Sequence, residues 1–130
     1  MNKNIWINGC FDILHRGHLE LFKYAKKFGN CLIVGIDSDT RVKKNKGENR
    51  PFNNQEDRKY FLENIKHVDK VVIFNNDDEL KEMIKIHSIA SMVVGSDWKG
   101  KKVIGSSLVK KVHYFNRIEK YSTTKILESK

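Results

Sequence analysis

Short apolar runs alternate with amphipathic stretches along almost the whole chain, and this alternation restricts the fold more than any other feature. The run "NIWING" reads as a short buried strand. In "HLELFKYAKKF", Leu19, Phe22 and Ala25 recur at helical spacing with lysines on the opposite face. Gly29 is expected to stop that helix, and "CLIVGID" is a continuous apolar run of the kind covered on both faces in parallel sheets. The next stretch, "SDTRVKKNKGENRPFNN", is polar, aperiodic and holds the only proline of the chain, so it reads as a long loop. An asparagine cap opens "NQEDRKYFLENIKHV", whose stripe is Tyr60, Phe61, Ile65 and Val68, ahead of the strand "KVVIF". The segment "DDELKEMIKIHSI" begins with acids, as a helix dipole favours, and gathers Leu80, Met83, Ile84 and Ile86 on one face. The strand "SMVVGSD", the polar "WKGKKVIGSSLVKK" and a last strand "VHYFNRI" follow, and in "YSTTKILES" Ser122 or Thr123 can cap a terminal helix. Strands and helices in this order predict an α/β fold, a Rossmann-like doubly wound parallel sheet.

A chain of 130 residues suits one domain over residues 1–130 without a linker, and 39% apolar content suits a folded core. No apolar run approaches the roughly 20 residues that span a bilayer, and the N-terminus lacks the order of a secretory signal. No membrane insertion and a cytoplasmic location are therefore expected. Cys10 and Cys31 form no CxxC pair and are expected to be buried, reduced thiols. The net charge of +9 is spread over "KYAKK", "RVKKNK", "KGKK" and "VKKV" without a basic stripe or a nucleic-acid-binding motif. A solvated basic surface and a pocket for phosphates both remain open, and no nucleic-acid partner is expected.

In a doubly wound sheet, ligands bind at the carboxyl ends of strands, where a helix start offers unpaired N–H groups and the positive end of its dipole. The motif "GCFDILHRGH" lies at such a strand end. Gly9 allows close backbone approach, and Gly17 keeps the helix start clear of a side chain. His15 and His18, three apart on a helical turn, can donate to phosphate oxygens from nearly the same side. A zinc pair is the less fitting reading because no third acidic or thiolate ligand is nearby, and His67, His87 and His113 read as surface or satisfied core residues.

Here the sequence resembles a known family. "GCFDILHRGH" is similar to the (G)xFDxxHxGH motif of the cytidylyltransferase-like nucleotidyltransferases, and "RIEKYSTTKI" to their R-T-E-G-x-S-T-T-x-I segment. The stretches "RPFNNQEDRKYFLENIKHVDKVVIF" and "VVGSDWKGK" match in order between them, so the resemblance covers nearly the whole chain. It implies a fold of the HxGH nucleotidyltransferase type, and it implies that the strand-end backbone at Gly9, Cys10 and Phe11, with His15, Gly17 and His18, holds a triphosphate. Ser122 and Thr123, beside Tyr121, would hold its β- and γ-phosphates from a helix start. Arg117 aligns with the family arginine and suits phosphate oxygens. Lys46 would reach over both substrates and Arg58 would contact phosphate from a helix start, an ion pair with Glu56 or Asp57 being the other reading. Asp12 and Asp97 would orient loops or meet Mg²⁺ through water, Gly95 and Asp97 would line the base and ribose, and Trp98 would flank the acceptor. Mg²⁺ is implied with the triphosphate, no protein metal site is expected, and a homodimer is the usual family arrangement.

The resembled enzymes are of two types, glycerol-3-phosphate cytidylyltransferases and the adenylyltransferase domain that makes ADP-heptose. "GSDWKGK" and "RIEKYSTTK" lean to the first, "KGENRPFNNQEDR" and "YSTT" to the second. The leading expectation is transfer of CMP from CTP to a polyol or sugar phosphate, releasing pyrophosphate. The alternative is an ADP-sugar made from ATP and heptose 1-phosphate. A non-catalytic nucleotide- or RNA-binding module is the reading from a different class.

Overall fold

A computed structural model describes residues 3–116. Five strands, Asn4–Gly9 (β1), Cys31–Asp37 (β2), Lys70–Phe74 (β3), Ile89–Gly95 (β4) and Lys111–Phe115 (β5), form one sheet in the order β3-β2-β1-β4-β5. Every pairing is parallel. The helices Arg16–Lys26 (α1), Asp39–Lys46 (α2), Gln55–Glu63 (α3) and Asp77–Ile86 (α4) join them. The chain builds outward from β1 to β3 and then returns to pair β4 with the other side of β1. That reversal opens a crevice beyond the carboxyl ends of β1 and β4, where open α/β sheets bind ligands. The expected doubly wound parallel sheet is the observed one.

Alternation along β1 fills two cores. Ile5 and Ile7 enter one with Phe22 and Ala25 of α1 and Leu62 of α3, while Trp6 enters the other with Leu80 and Ile84 of α4 and Met92. Burying each such large apolar side chain is worth about 1.5–3 kcal/mol. Trp6 has a steric condition: a Cβ on Gly35 of β2 would lie 2.4 Å from its ring, so only glycine fits there. No helix among the described residues is long and apolar enough to cross a membrane.

Several local expectations change. The segment expected as a long loop contains α2: Ser38 caps it by accepting from the Arg41 N–H, and Val42 is buried on it. In α3 the buried side chains are Arg58 and Leu62, whereas Tyr60 and Phe61 are exposed. The buried side chains of α1 are Phe22 and Ala25, with Leu19 exposed, and Ile86 of α4 is exposed while Leu80 and Ile84 are buried. The helix expected to end at Gly29 ends at Lys26. A Cβ on Gly29 would lie 2.0 Å from the Lys3 carbonyl oxygen, so this glycine serves a close backbone approach. The two thiols are free but only half-buried.

Candidate active site

The site begins where β1 hands over to α1. Phe11 takes φ 50, a left-handed conformation that costs a non-glycine residue energy and survives only where packing fixes it. Its ring packs on Phe22 at 5.3 Å and meets the His18 ring edge-on at 5.3 Å. Gly9 leaves room for this arrangement, since a Cβ there would lie 3.1 Å from the Phe11 ring.

At the start of α1 the two histidines cap the helix reciprocally. His15 is the N-cap residue, and its Nδ1 accepts from the Gly17 N–H at 3.1 Å. His18 Nδ1 accepts from the His15 N–H at 3.2 Å. The rings stack with centroids 3.9 Å apart and planes 24° from parallel. A neutral imidazole has one donor and one acceptor nitrogen, so two Nδ1 acceptors require both ring hydrogens on Nε2. The capping geometry therefore selects the tautomer and places both Nε2–H groups at the positive end of a helix.

These rings border a cavity of about 560 Å³, within the usual size of a small-molecule site. Of the residues expected from sequence, Gly9, Cys10, Phe11, Asp12, His15, Gly17, His18, Lys46, Gly95, Asp97 and Trp98 line it. Of the neighbouring lysines 43, 44 and 46, only Lys46 lines the cavity, because α2 turns it that way. Arg117, Tyr121, Ser122 and Thr123, with the terminal helix cap, lie outside the described residues.

Arg58 is a correction. Expected to contact substrate phosphate from a helix start, it is fully buried and does not line the cavity. Its guanidinium donates to the carbonyls of Asn53 at 3.0 Å, Cys10 at 2.9 Å and Asp37 at 2.8 Å, and to Asp39 Oδ1 at 2.7 Å. It thus ties the ends of β1 and β2 to the following segments, and its ion-pair partner is Asp39, not Glu56 or Asp57. Asp12 is also buried, and its carboxylate accepts the N–H groups of Phe52 and Asn53 and Nε of Arg50. Burial pushes the Cys10 thiol above its ordinary pKa, outweighing the opposing pull of Arg58 and Lys46.

Sequence reasoning passed over Asn8, Asp37, Arg41, Asn45, Arg50 and Lys102, all of which border the cavity. The available signal was the position of Asn8 and Asp37 at strand ends, and of Arg50 inside "KGENRP". Among the described residues no group of three or more His, Cys, Asp and Glu side chains is arranged to hold a metal ion.

A parallel sheet with a switch-point cavity, and two histidine donors on a helix start beneath it, define a nucleotidyltransferase-type α/β domain. Residues 6–129 match the family described as cytidylyltransferase-like, and the chain belongs to that family. It is 48% identical over 124 residues to the bifunctional protein HldE of a Nitratiruptor species, a match covering 95% of this chain and 27% of that protein. HldE of Campylobacter concisus (strain 13826) is 45% identical over 126 residues, covering 97% of this chain and 26% of that protein. The chain thus spans about a quarter of the length of these curated relatives. In fold it is similar to the crystal structure of the lipopolysaccharide core biosynthesis protein from Thermoplasma volcanium GSS1. The TM-score there is 0.72 at 23% identity, over 88% of this chain and 97% of that one.

Proposed function

We propose that this chain is an adenylyltransferase that joins AMP from ATP to heptose 1-phosphate, giving an ADP-sugar and pyrophosphate. The observation that carries nucleotidyl transfer is the pair of Nε2–H donors, fixed by the reciprocal cap of His15 and His18. Similarity to HldE proteins favours the adenylyl alternative over the cytidylyl transfer that the sequence led us to expect.

In this reading the triphosphate enters with Mg²⁺ as part of the substrate and lies in the crevice beyond β1 and β4. An oxygen of the sugar phosphate attacks the α-phosphorus in line; the bond to the bridging oxygen breaks, and pyrophosphate leaves with the electron pair. The attacking phosphate is already ionised, so no protein nucleophile or general base is needed. Catalysis is positioning and charge stabilisation. The imidazole N–H groups of His15 and His18 donate to the oxygens on which charge builds, and the caps hold them there before substrate arrives. Such preorganised donors lower the barrier because they need not reorient during reaction. Lys46, exposed at the last turn of α2, offsets part of the charge that two phosphorylated substrates bring together.

Pyrophosphate release tests this directly, with ATP and CTP each paired with heptose 1-phosphate and glycerol 3-phosphate. ATP with heptose 1-phosphate is expected to turn over best. Preference for CTP with glycerol 3-phosphate would restore the cytidylyl reading, and nucleotide binding without release in any pairing would overturn both.

A further inference from the structure

Two arginines border the cavity and are held differently. Arg41 is engaged at both ends of its guanidinium, with Nε on Asp37 at 2.9 Å and a terminal nitrogen on Asp77 at 2.8 Å, above the Phe74 ring. Arg50 is held at one point only: its Nε donates to Asp12 Oδ2 at 3.2 Å. Among the described residues its terminal nitrogens have no hydrogen-bond partner, and they are not sealed from solvent. Asp12 itself is fixed by the Phe52 N–H at 2.7 Å and the Asn53 N–H at 2.8 Å. An arginine anchored through Nε on a buried carboxylate keeps its outer fork in one orientation, and that fork matches two phosphate oxygens.

Position decides which phosphate. The nucleotide crevice opens between β1 and β4, whereas Arg50 comes from the crossover between β2 and β3, on the other side of β1. In-line transfer needs the attacking phosphate to approach from the side opposite the departing pyrophosphate. We propose that Arg50 binds the phosphate of the acceptor, with Asp12 as its positioning residue, an assignment that rests on the nucleotidyl-transfer reading above. The fork donates to two non-attacking oxygens of the acceptor phosphate while the third attacks, and Arg50 exchanges no proton.

Steady-state kinetics of Arg50→Ala, Arg50→Lys and Asp12→Asn test the assignment. Loss of a bidentate charged contact should raise KM for heptose 1-phosphate about 10- to 100-fold, with KM for ATP changed by less than about twofold. Arg50→Lys, which keeps the charge without the fork, should recover only part of that loss, and Asp12→Asn should shift the acceptor KM in the same direction. A KM for ATP that rises in step, or an acceptor KM that does not move in Arg50→Ala, would overturn the proposal. If the unaltered protein fails to turn over heptose 1-phosphate, the acceptor named above falls while Arg50 can still be judged. Inorganic phosphate is then titrated calorimetrically into protein saturated with a non-hydrolysable ATP analogue. Binding abolished by Arg50→Ala supports the role; binding that is unchanged, or absent from the unaltered protein, overturns it.

Discussion

The junction between β1 and α1 and the crossover between β2 and α3 meet at Asp12, yet they are held by opposite means. At the helix start of the junction the governing bonds are short in sequence, with partners two residues apart for His15 and Gly17 and three apart for His18 and His15. In the crossover, Asp39 N–H donates to Gln55 Oε1 across 16 residues, and Arg58 reaches Cys10 across 48. A region held by its neighbours carries its geometry in its own sequence. A region held from afar does not, and its polar composition then imitates a loop.

The comparison breaks most sharply at Arg58. Arg58→Met should remove the long-range ties of the crossover, leaving three carbonyls and Asp39 without their donor. Breaking a buried charged contact of this kind costs about 3–5 kcal/mol, to be read from urea unfolding. A loss below about 1 kcal/mol would mean that the crossover is held locally after all, as most surface substitutions are.

His18→Ala attacks the junction instead. Turnover should fall about 10²- to 10³-fold, as when one preorganised donor is removed, while the fold persists by circular dichroism. Near-normal turnover would strip the imidazole pair of its role. The smallest effect is expected at Ser38, a local device of the crossover. Ser38→Ala should cost about 1 kcal/mol, the usual worth of an N-cap, with little change in KM for either substrate. A much larger loss would show that α2 depends on its cap more than on Arg41 and Arg58.

Legibility follows the same division. The capping Asn54, the acidic start of α4 and the strand runs were readable because each is a local pattern. Tyr60 and Phe61 misled because apolar character at helical spacing was read as a buried stripe, whereas α3 buries Leu62 and turns these rings outward. Arg58 was assigned to a ligand because a charged side chain at a helix start is normally exposed, and nothing nearby announces the carbonyls of Cys10 and Asp37. Arg50 went unnoticed for the complementary reason: its anchor, Asp12, lies 38 residues earlier.

By itself, then, the sequence determined the parallel doubly wound sheet, the strand end that carries the site and the histidine pair at its helix start. Hydrophobic period and cap chemistry act over a few residues and leave their mark in order along the chain. Only the tertiary structure decided that α2 exists, that Lys46 among its lysines faces the cavity, and that Arg58 braces the strand ends while Arg50 borders the site. The physical reason is desolvation: a buried charge such as Asp12 or Arg58 must find partners wherever the fold brings them, and those partners are distant in sequence.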